Sequence, residues 1–196
     1  MNFSETLKNH IKDKHLLSHP FYQAWMEGKL SMDTLKEYAS QYYHHVSAFP
    51  RYISATHSNC VDASKREVLL ENLNEEEGLN NTAHPQLWLD FATGLNLTES
   101  EVKTSKEKQA IQNVIQTFLG YGKKSYAEGL AALYAYEYQV PEVASSKIEG
   151  LEKNYSICDE KTLKFFKVHQ EADIYHREAC ETVSYTHLTL PTICSV

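Results

Sequence analysis

The sequence predicts an all-α fold, and three observations predict it. Apolar and aromatic residues recur at three- and four-residue intervals, only seven glycines and five prolines punctuate the chain, and no hairpin signal appears. Most of the thirteen tyrosines also fall on helical segments, and none on an alternating strand pattern. At 196 residues, 42% hydrophobic and 23% charged, the chain has the size and composition of one globular domain. Residues 1–182 are assigned to that domain, because no repeat or linker divides them.

In Phe3–Leu17, the residues Phe3, Leu7, His10 or Ile11, and Leu17 keep helical spacing, and His19-Pro20 ends the helix. A short helix, Phe21–Glu27, is closed by Gly28. Ser31 caps a long helix with Asp33 in its first turn, where negative charge suits the helix dipole. Along it Tyr38, Tyr42, His45, Phe49, Tyr52 and Thr56 form an aromatic seam, and Pro50 is expected to kink it near the middle. Asp62 caps a helix that runs to Glu75-Glu76-Glu77 and stops at Gly78. A loop, Asn80-Asn-Thr-Ala, leads to His84-Pro85 and a helix over Pro85–Thr93. Thr98-Glu-Ser-Glu101 is a capping box for a short helix. Ser105–Leu119 places Ile111, Val114, Ile115, Phe118 and Leu119 on one side, before Gly120 and Gly122 break the pattern. Ser125–Gln139 is apolar almost all round, which predicts a helix buried at the centre of a bundle. Pro141 opens a helix through Lys147 and Leu151, and after a loop at 154–158 the last helix is expected over Asp159–Thr182.

From Val183 onward, helical periodicity and charge disappear together. Residues 183–196 read as a non-native tail, so His187 and Cys194 receive no role, and a closing C-terminal helix is expected to be missing. The net charge of -7 and the lack of a basic stripe argue against nucleic acid or an anionic membrane as partner. With no apolar run of membrane-spanning length and no signal-peptide pattern, a cytoplasmic location is expected. Cys60, Cys158, Cys180 and Cys194 lack the spacing of a zinc site or a disulfide framework.

The stretch that stands out chemically is His169-Gln-Glu-Ala-Asp-Ile-Tyr-His176. On a helix His169, Asp173 and His176 share one face (i, i+4, i+7), a stripe continued by Phe166, Ala172 and Cys180. Either that face is solvated and polar, or it is buried and its ionisable groups share a cation. A metal held by one helix needs donors from others. Glu137 is the strongest, as a lone acid in the second half of an apolar helix, followed by Glu76 at one helix end and His84 at the start of another. Three carboxylates and three imidazoles resemble the donor mixture of di-iron and di-manganese bundles, and Asp173-Ile-Tyr-His176 has the i, i+3 acid-to-histidine spacing. Glu76 and His84 depart from that symmetry, lying eight residues apart across a helix break. Confined carboxylates repel one another, and divalent cations offset that repulsion.

Several motifs occur in one order: Glu75-Glu-Glu-Gly with His84, Ala132-Leu-Tyr-Ala-Tyr-Glu-Tyr-Gln, and His169 through His176. With His19-Pro-Phe-Tyr-Gln-Ala-Trp25, Phe49-Pro-Arg-Tyr52, Asn72-Leu-Asn-Glu-Glu and Lys147-Ile-Glu-Gly they span about Phe3 to Glu181. Together they resemble the family of the chlamydial protein associating with death domains. That family is a branch of the heme-oxygenase-like di-metal oxidases, related in fold to TenA thiaminase-type and PqqC quinone-synthesis proteins. The resemblance implies a heme-oxygenase-like bundle that makes p-aminobenzoate for folate synthesis from its own tyrosine. It further implies dinuclear iron or a manganese/iron pair, dioxygen as co-substrate, an external reductant and a homodimer. Carried over by motif, the metal ligands would be Glu76, His84, Glu137, His169, Asp173 and His176, with Glu75 and Glu77 as near rivals for the first. Tyr22 would be the sacrificed tyrosine, Lys147 the amine donor and Tyr38 an assisting group. At Phe165 the family can carry a tyrosine, and Tyr136 and Tyr175 stand in the neighbouring segments. Two other functions fit the fold: a metal-independent enzyme of the thiaminase or quinone-synthesis type, or a death-domain-interacting protein, as the family's name suggests.

Overall fold

The computed structural model describes residues 3–12 and 14–170, and among these every regular element is helical. In order they are α1 (Phe3–Lys12), a 3-10 turn (Leu16–Ser18), α2 (Pro20–Met26), α3 (Met32–Ser58), α4 (Ala63–Glu77), α5 (His84–Gly94), α6 (Glu99–Lys103), α7 (Gln109–Lys124), α8 (Tyr126–Glu137) and α9 (Val140–Tyr155). Residues 160–170, here α10, are helical up to the last described residue. Asp173, His176, Tyr175 and the expected tail at 183–196 lie outside the described residues. No helix among the described residues is long and apolar enough to cross a membrane.

Local chemistry explains most boundaries. The Ser31 hydroxyl accepts from the Thr34 N–H at 3.1 Å, Asp62 accepts from Ser64 and Lys65, and Thr98 with Glu101 forms the expected capping box. The first helix stops earlier than expected. The His15 ring accepts from the Leu17 N–H at 3.2 Å, and Leu16 N–H donates to Gln139 Oε1 at 2.9 Å, so side chains compete with helical bonding there. Pro50 removes a donor inside α3, yet the helix runs unbroken to Ser58.

Two expectations are corrected. Gly120 and Gly122 do not end a helix, because α7 continues through both to Lys124. Gly122 is there for packing: a Cβ on it would sit 3.1 Å from the Ala55 Cβ and 3.2 Å from the Thr56 hydroxyl, and one on Gly129 only 2.4 Å from that hydroxyl. These glycines let α7 and α8 lie closely against α3. The central helix is α3, not α8. It packs against each helix from α4 to α8 and buries ten of its residues. Along α8 only Gly129, Leu130, Leu133, Tyr134 and Glu137 are buried.

Two apolar clusters share α3. One gathers Trp25, Leu35, Trp88, Phe91 and Phe166, and the other Phe49, Tyr52, Ile53, Leu69 and Leu130. Val46 belongs to the first and Phe49 to the second, one turn apart. The ionisable side chains described next face this junction.

Candidate active site

Glu76, His84 and His169 come together from three helices. Each offers one donor atom within 4.8 Å of the other two, and all three residues are buried. Glu76 ends the last turn of α4, where Glu75 is only half-buried and Glu77 is exposed, so the fold separates the three adjacent acids. Gly78 then adopts φ +75°, and a Cβ on it would strike the Ala83 nitrogen at 2.3 Å. This tight reversal starts α5 directly beside the end of α4, and His84 Nδ1 lies 3.0 Å from Glu76 Oε1. The eight-residue spacing that breaks bundle symmetry in the sequence is thus closed by one left-handed glycine.

On α10, Thr162, Phe165, Phe166 and His169 are all buried while Lys161 and Lys164 are exposed, so over the described part of that helix the face bearing His169 is the buried one. His169 Nδ1 lies 2.6 Å from the Phe165 carbonyl oxygen. A carbonyl can only accept, so Nδ1 carries the proton in the neutral ring and Nε2 carries the lone pair. The His84 and His169 rings are 4.5 Å apart.

Glu137 is 2% exposed. It is outside the 4.8 Å cluster but lines the same cavity, of about 10 Å³, together with Glu76, His169, Tyr136 and Phe165. Its Oε1 accepts from Asn72 Nδ2 at 2.8 Å. Asn72 lies one turn before Glu76 on α4, so that spacing was the available sequence signal for its role beside the acids. Glu76, Glu137 and His169 line that space, and the His84 imidazole joins Glu76 and His169 in the donor cluster, so two carboxylates and two imidazoles, all buried, form an oxygen and nitrogen donor set suited to iron or manganese. The residues present therefore fit the metal that the sequence resemblance implies.

A second constellation adjoins the first. Lys147, on α9, is 4% exposed, and its Nζ donates to the Tyr38 hydroxyl at 2.5 Å. The amine lies 5.4 Å from the centre of the Tyr22 ring, 5.2 Å from that of Tyr42 and 5.8 Å from those of Trp25 and Trp88. Burial without a carboxylate partner lowers the lysine pKa from 10.5 to about 7. Burial likewise raises the pKa of Tyr22, against which a hydrogen bond with Tyr38 works, and raises that of Tyr38. Tyr42 and Tyr136 meet hydroxyl to hydroxyl at 2.6 Å. A cavity of about 20 Å³, room for a water molecule, touches Tyr22, Tyr42, Tyr136, Lys147 and His169 together. Phe165, where the family can have a tyrosine, packs 4.1 Å from the His169 ring and 4.7 Å from the Trp88 ring. Sequence reading passed over both indoles as parts of this pocket. Cys60 is remote in kind: its Sγ contacts the Asp62 carbonyl after α3.

The family of iron-containing redox enzymes of the haem-oxygenase type matches residues 36–189. A 4-aminobenzoate synthase of Chlamydia pneumoniae is 44% identical over 173 residues, covering 88% of this chain and 76% of the relative. Another, of Nitrosomonas europaea, is 41% identical over 189 residues, covering 90% and 76%. Among solved structures, a TenA homologue of Pseudomonas syringae pv. tomato superposes with a TM-score of 0.81 at 18% identity, over 96% of this chain and 81% of the other. That last likeness concerns the fold alone. On the family match and the identity to these relatives, the chain belongs to the iron-containing redox enzymes with a haem-oxygenase-like fold.

Proposed function

We propose that this enzyme makes 4-aminobenzoate, a folate precursor, from its own Tyr22, with Lys147 as nitrogen donor and dioxygen as oxidant. The metal ligands in this reading are Glu76, His84, Glu137 and His169, joined by Asp173 and His176 from beyond the described residues. The observation that carries it is the shared cavity: Tyr22 and Lys147 border the same small space as His169. The similarity to two 4-aminobenzoate synthases supports the product.

The atoms impose the outline. 4-Aminobenzoate is an aromatic ring bearing a carboxyl carbon and, opposite it, a nitrogen. A tyrosine side chain supplies the ring and, in Cβ, the carboxyl carbon. The Cα–Cβ bond must therefore break, Cβ must be oxidised to a carboxylate, and the ring C–O bond must give way to a C–N bond. The amine condenses with the oxidised ring carbonyl and the ring oxygen leaves as water; the C=N bond then shifts to Cε and its hydrolysis breaks the Nζ–Cε bond, leaving the nitrogen on the ring and an aldehyde at Cε. Dioxygen takes up the electrons of these oxidations, and an external reductant supplies the remainder of those needed to reduce it to water. When bound, a redox-active iron pair or manganese/iron pair supplies one-electron chemistry that couples dioxygen to nearby tyrosines.

The protein groups do the rest. Burial lowers the Lys147 pKa to about 7, so the neutral amine, whose lone pair can form the C–N bond, is accessible near neutral pH. Tyr38 accepts from that amine and holds it beside the Tyr22 ring. Trp25, Trp88 and Phe166 enclose the amine and exclude bulk water. Because the substrate is a side chain, each polypeptide reacts once.

Protein loaded with iron, or with manganese and iron, should hold about two metal ions per chain. On exposure to dioxygen and reductant it should release 4-aminobenzoate while peptide mapping finds Tyr22 shortened. Product accompanied by an intact Tyr22 would exclude that residue as the source. Activity that survives removal of the metal would point instead to a cofactor-free reaction on the same fold.

A further inference from the structure

Helix α2 carries Tyr22 but is only seven residues long, too short to be a stable helix by itself. It packs on the 3-10 turn and on Tyr38 of α3, and one face of α9 holds it on the other side. Lys147, Gly150 and Asn154 lie at i, i+3 and i+7 on that face. Trp25 Nε1 donates to the backbone carbonyl of Lys147 at 3.2 Å. Gly150 makes room for the indole, since a Cβ there would lie 2.5 Å from Trp25 Cδ1 and 2.8 Å from its Nε1. Asn154 Nδ2 donates to the Met26 carbonyl at 2.9 Å and ties down the end of α2.

Trp25 follows Tyr22 by three residues, so the two side chains leave α2 on neighbouring positions of one face. The indole is 1% exposed. Its ring meets the Tyr38 ring edge-on at 5.6 Å and lies 5.8 Å from the Lys147 amine. One side chain therefore touches the backbone of the nitrogen donor and the tyrosine that holds its amine, on the helix that bears the other reactant. Any sliding or rotation of α2 against α9 alters the separation of ring and amine, and the indole seated on Gly150 opposes both movements.

We propose that Trp25, seated on Gly150 and hydrogen-bonded to the Lys147 carbonyl, is a positioning residue that sets the approach of the Tyr22 ring to the Lys147 amine. Its role in product formation rests on the reading above, whereas its effect on geometry does not. The test uses the full chain, metal-free, with 3-fluorotyrosine at position 22 observed by fluorine NMR. Lys147→Met should displace that resonance, because it removes an amine close to the ring. In Trp25→Phe and in Gly150→Ala backgrounds the displacement should shrink by about twofold or more, since field effects fall steeply with distance.

In metal-loaded protein the same two variants should keep metal content and helicity and form 4-aminobenzoate about tenfold more slowly or worse, as misplaced reactants do. A Lys147→Met displacement that is unchanged in both backgrounds overturns the proposal. So does a loss of product that only parallels lost helicity or lost metal. Should Gly150→Ala fail to fold, Trp25→Phe, which keeps an aromatic ring and removes the N–H, decides alone. If the native protein yields no 4-aminobenzoate but the coupling is lost as expected, the positioning role stands and the assigned reaction falls.

Discussion

Lys147 lies in an environment that its residue type avoids, buried among aromatic rings with a phenol as hydrogen-bond partner. The sign of the consequence is fixed. The unfolded lysine keeps its proton to about pH 10.5 and the folded one gives it up near 7, so between those values the unfolded chain binds more protons and stability rises with pH. The burial penalty is complete below about pH 7 and relieved toward 10.5. Lys147→Met should therefore raise the melting temperature at pH 7, with the gain, of order a few kcal/mol, shrinking as the pH approaches 10, and under the proposed reaction the same variant should form no 4-aminobenzoate. Thermal unfolding at several pH values measures it, and a gain independent of pH would refute the burial account. From sequence alone Lys147 looked like any helix-surface lysine, and only the resemblance singled it out. Burial of a charge depends on which helices cover it, and no local pattern around Lys147 encodes that.

Glycines on α7 and α8 make the same point for elements. Gly120 and Gly122 look alike in the sequence, and both suggest a helix end. A Cβ on Gly120 would meet nothing within 4 Å, whereas one on Gly129, across the α7–α8 turn, would overlap the Thr56 hydroxyl on α3. Gly120→Ala is expected to stabilise the protein by about 0.5–1 kcal/mol through helix propensity. Gly129→Ala should cost about 1–3 kcal/mol through overpacking. Denaturant unfolding of the two variants compares them, and equal effects would discard the close-approach explanation. The caps, by contrast, were legible at Ser31, Asp62 and Thr98, because a cap is a contact between residues two or three positions apart. The end of the first helix was not, since the Gln139 side chain that engages Leu16 lies 123 residues away.

At the scale of the whole molecule, the donor cluster depends on α4, α5 and α10 meeting at the junction of two apolar cores. Metal binding should therefore stabilise the fold, because the unfolded chain offers no such site. Addition of ferrous or manganous ion to metal-free protein should raise the melting temperature, and a chelator should reverse the rise. Asn72→Ala, which removes the hydrogen bond that orients Glu137, should weaken metal affinity by about tenfold or more. Equal affinity in the variant and the native protein, measured by titration, would separate Glu137 from the metal site.

The sequence by itself determined the helical class, most of the helix order, and which acids and imidazoles were worth watching. Helical periodicity, capping and residue chemistry are carried by short stretches of chain, and those stretches are present in the unfolded polymer. Only the tertiary structure decided that Glu76 rather than Glu75 or Glu77 turns inward, that His84 closes on it across Gly78, and that α3 rather than α8 occupies the centre. It also decided that two indoles surround Lys147. Burial and convergence are properties of many segments packed at once, and packing is settled by the fit of distant side chains to one another, which no single segment specifies.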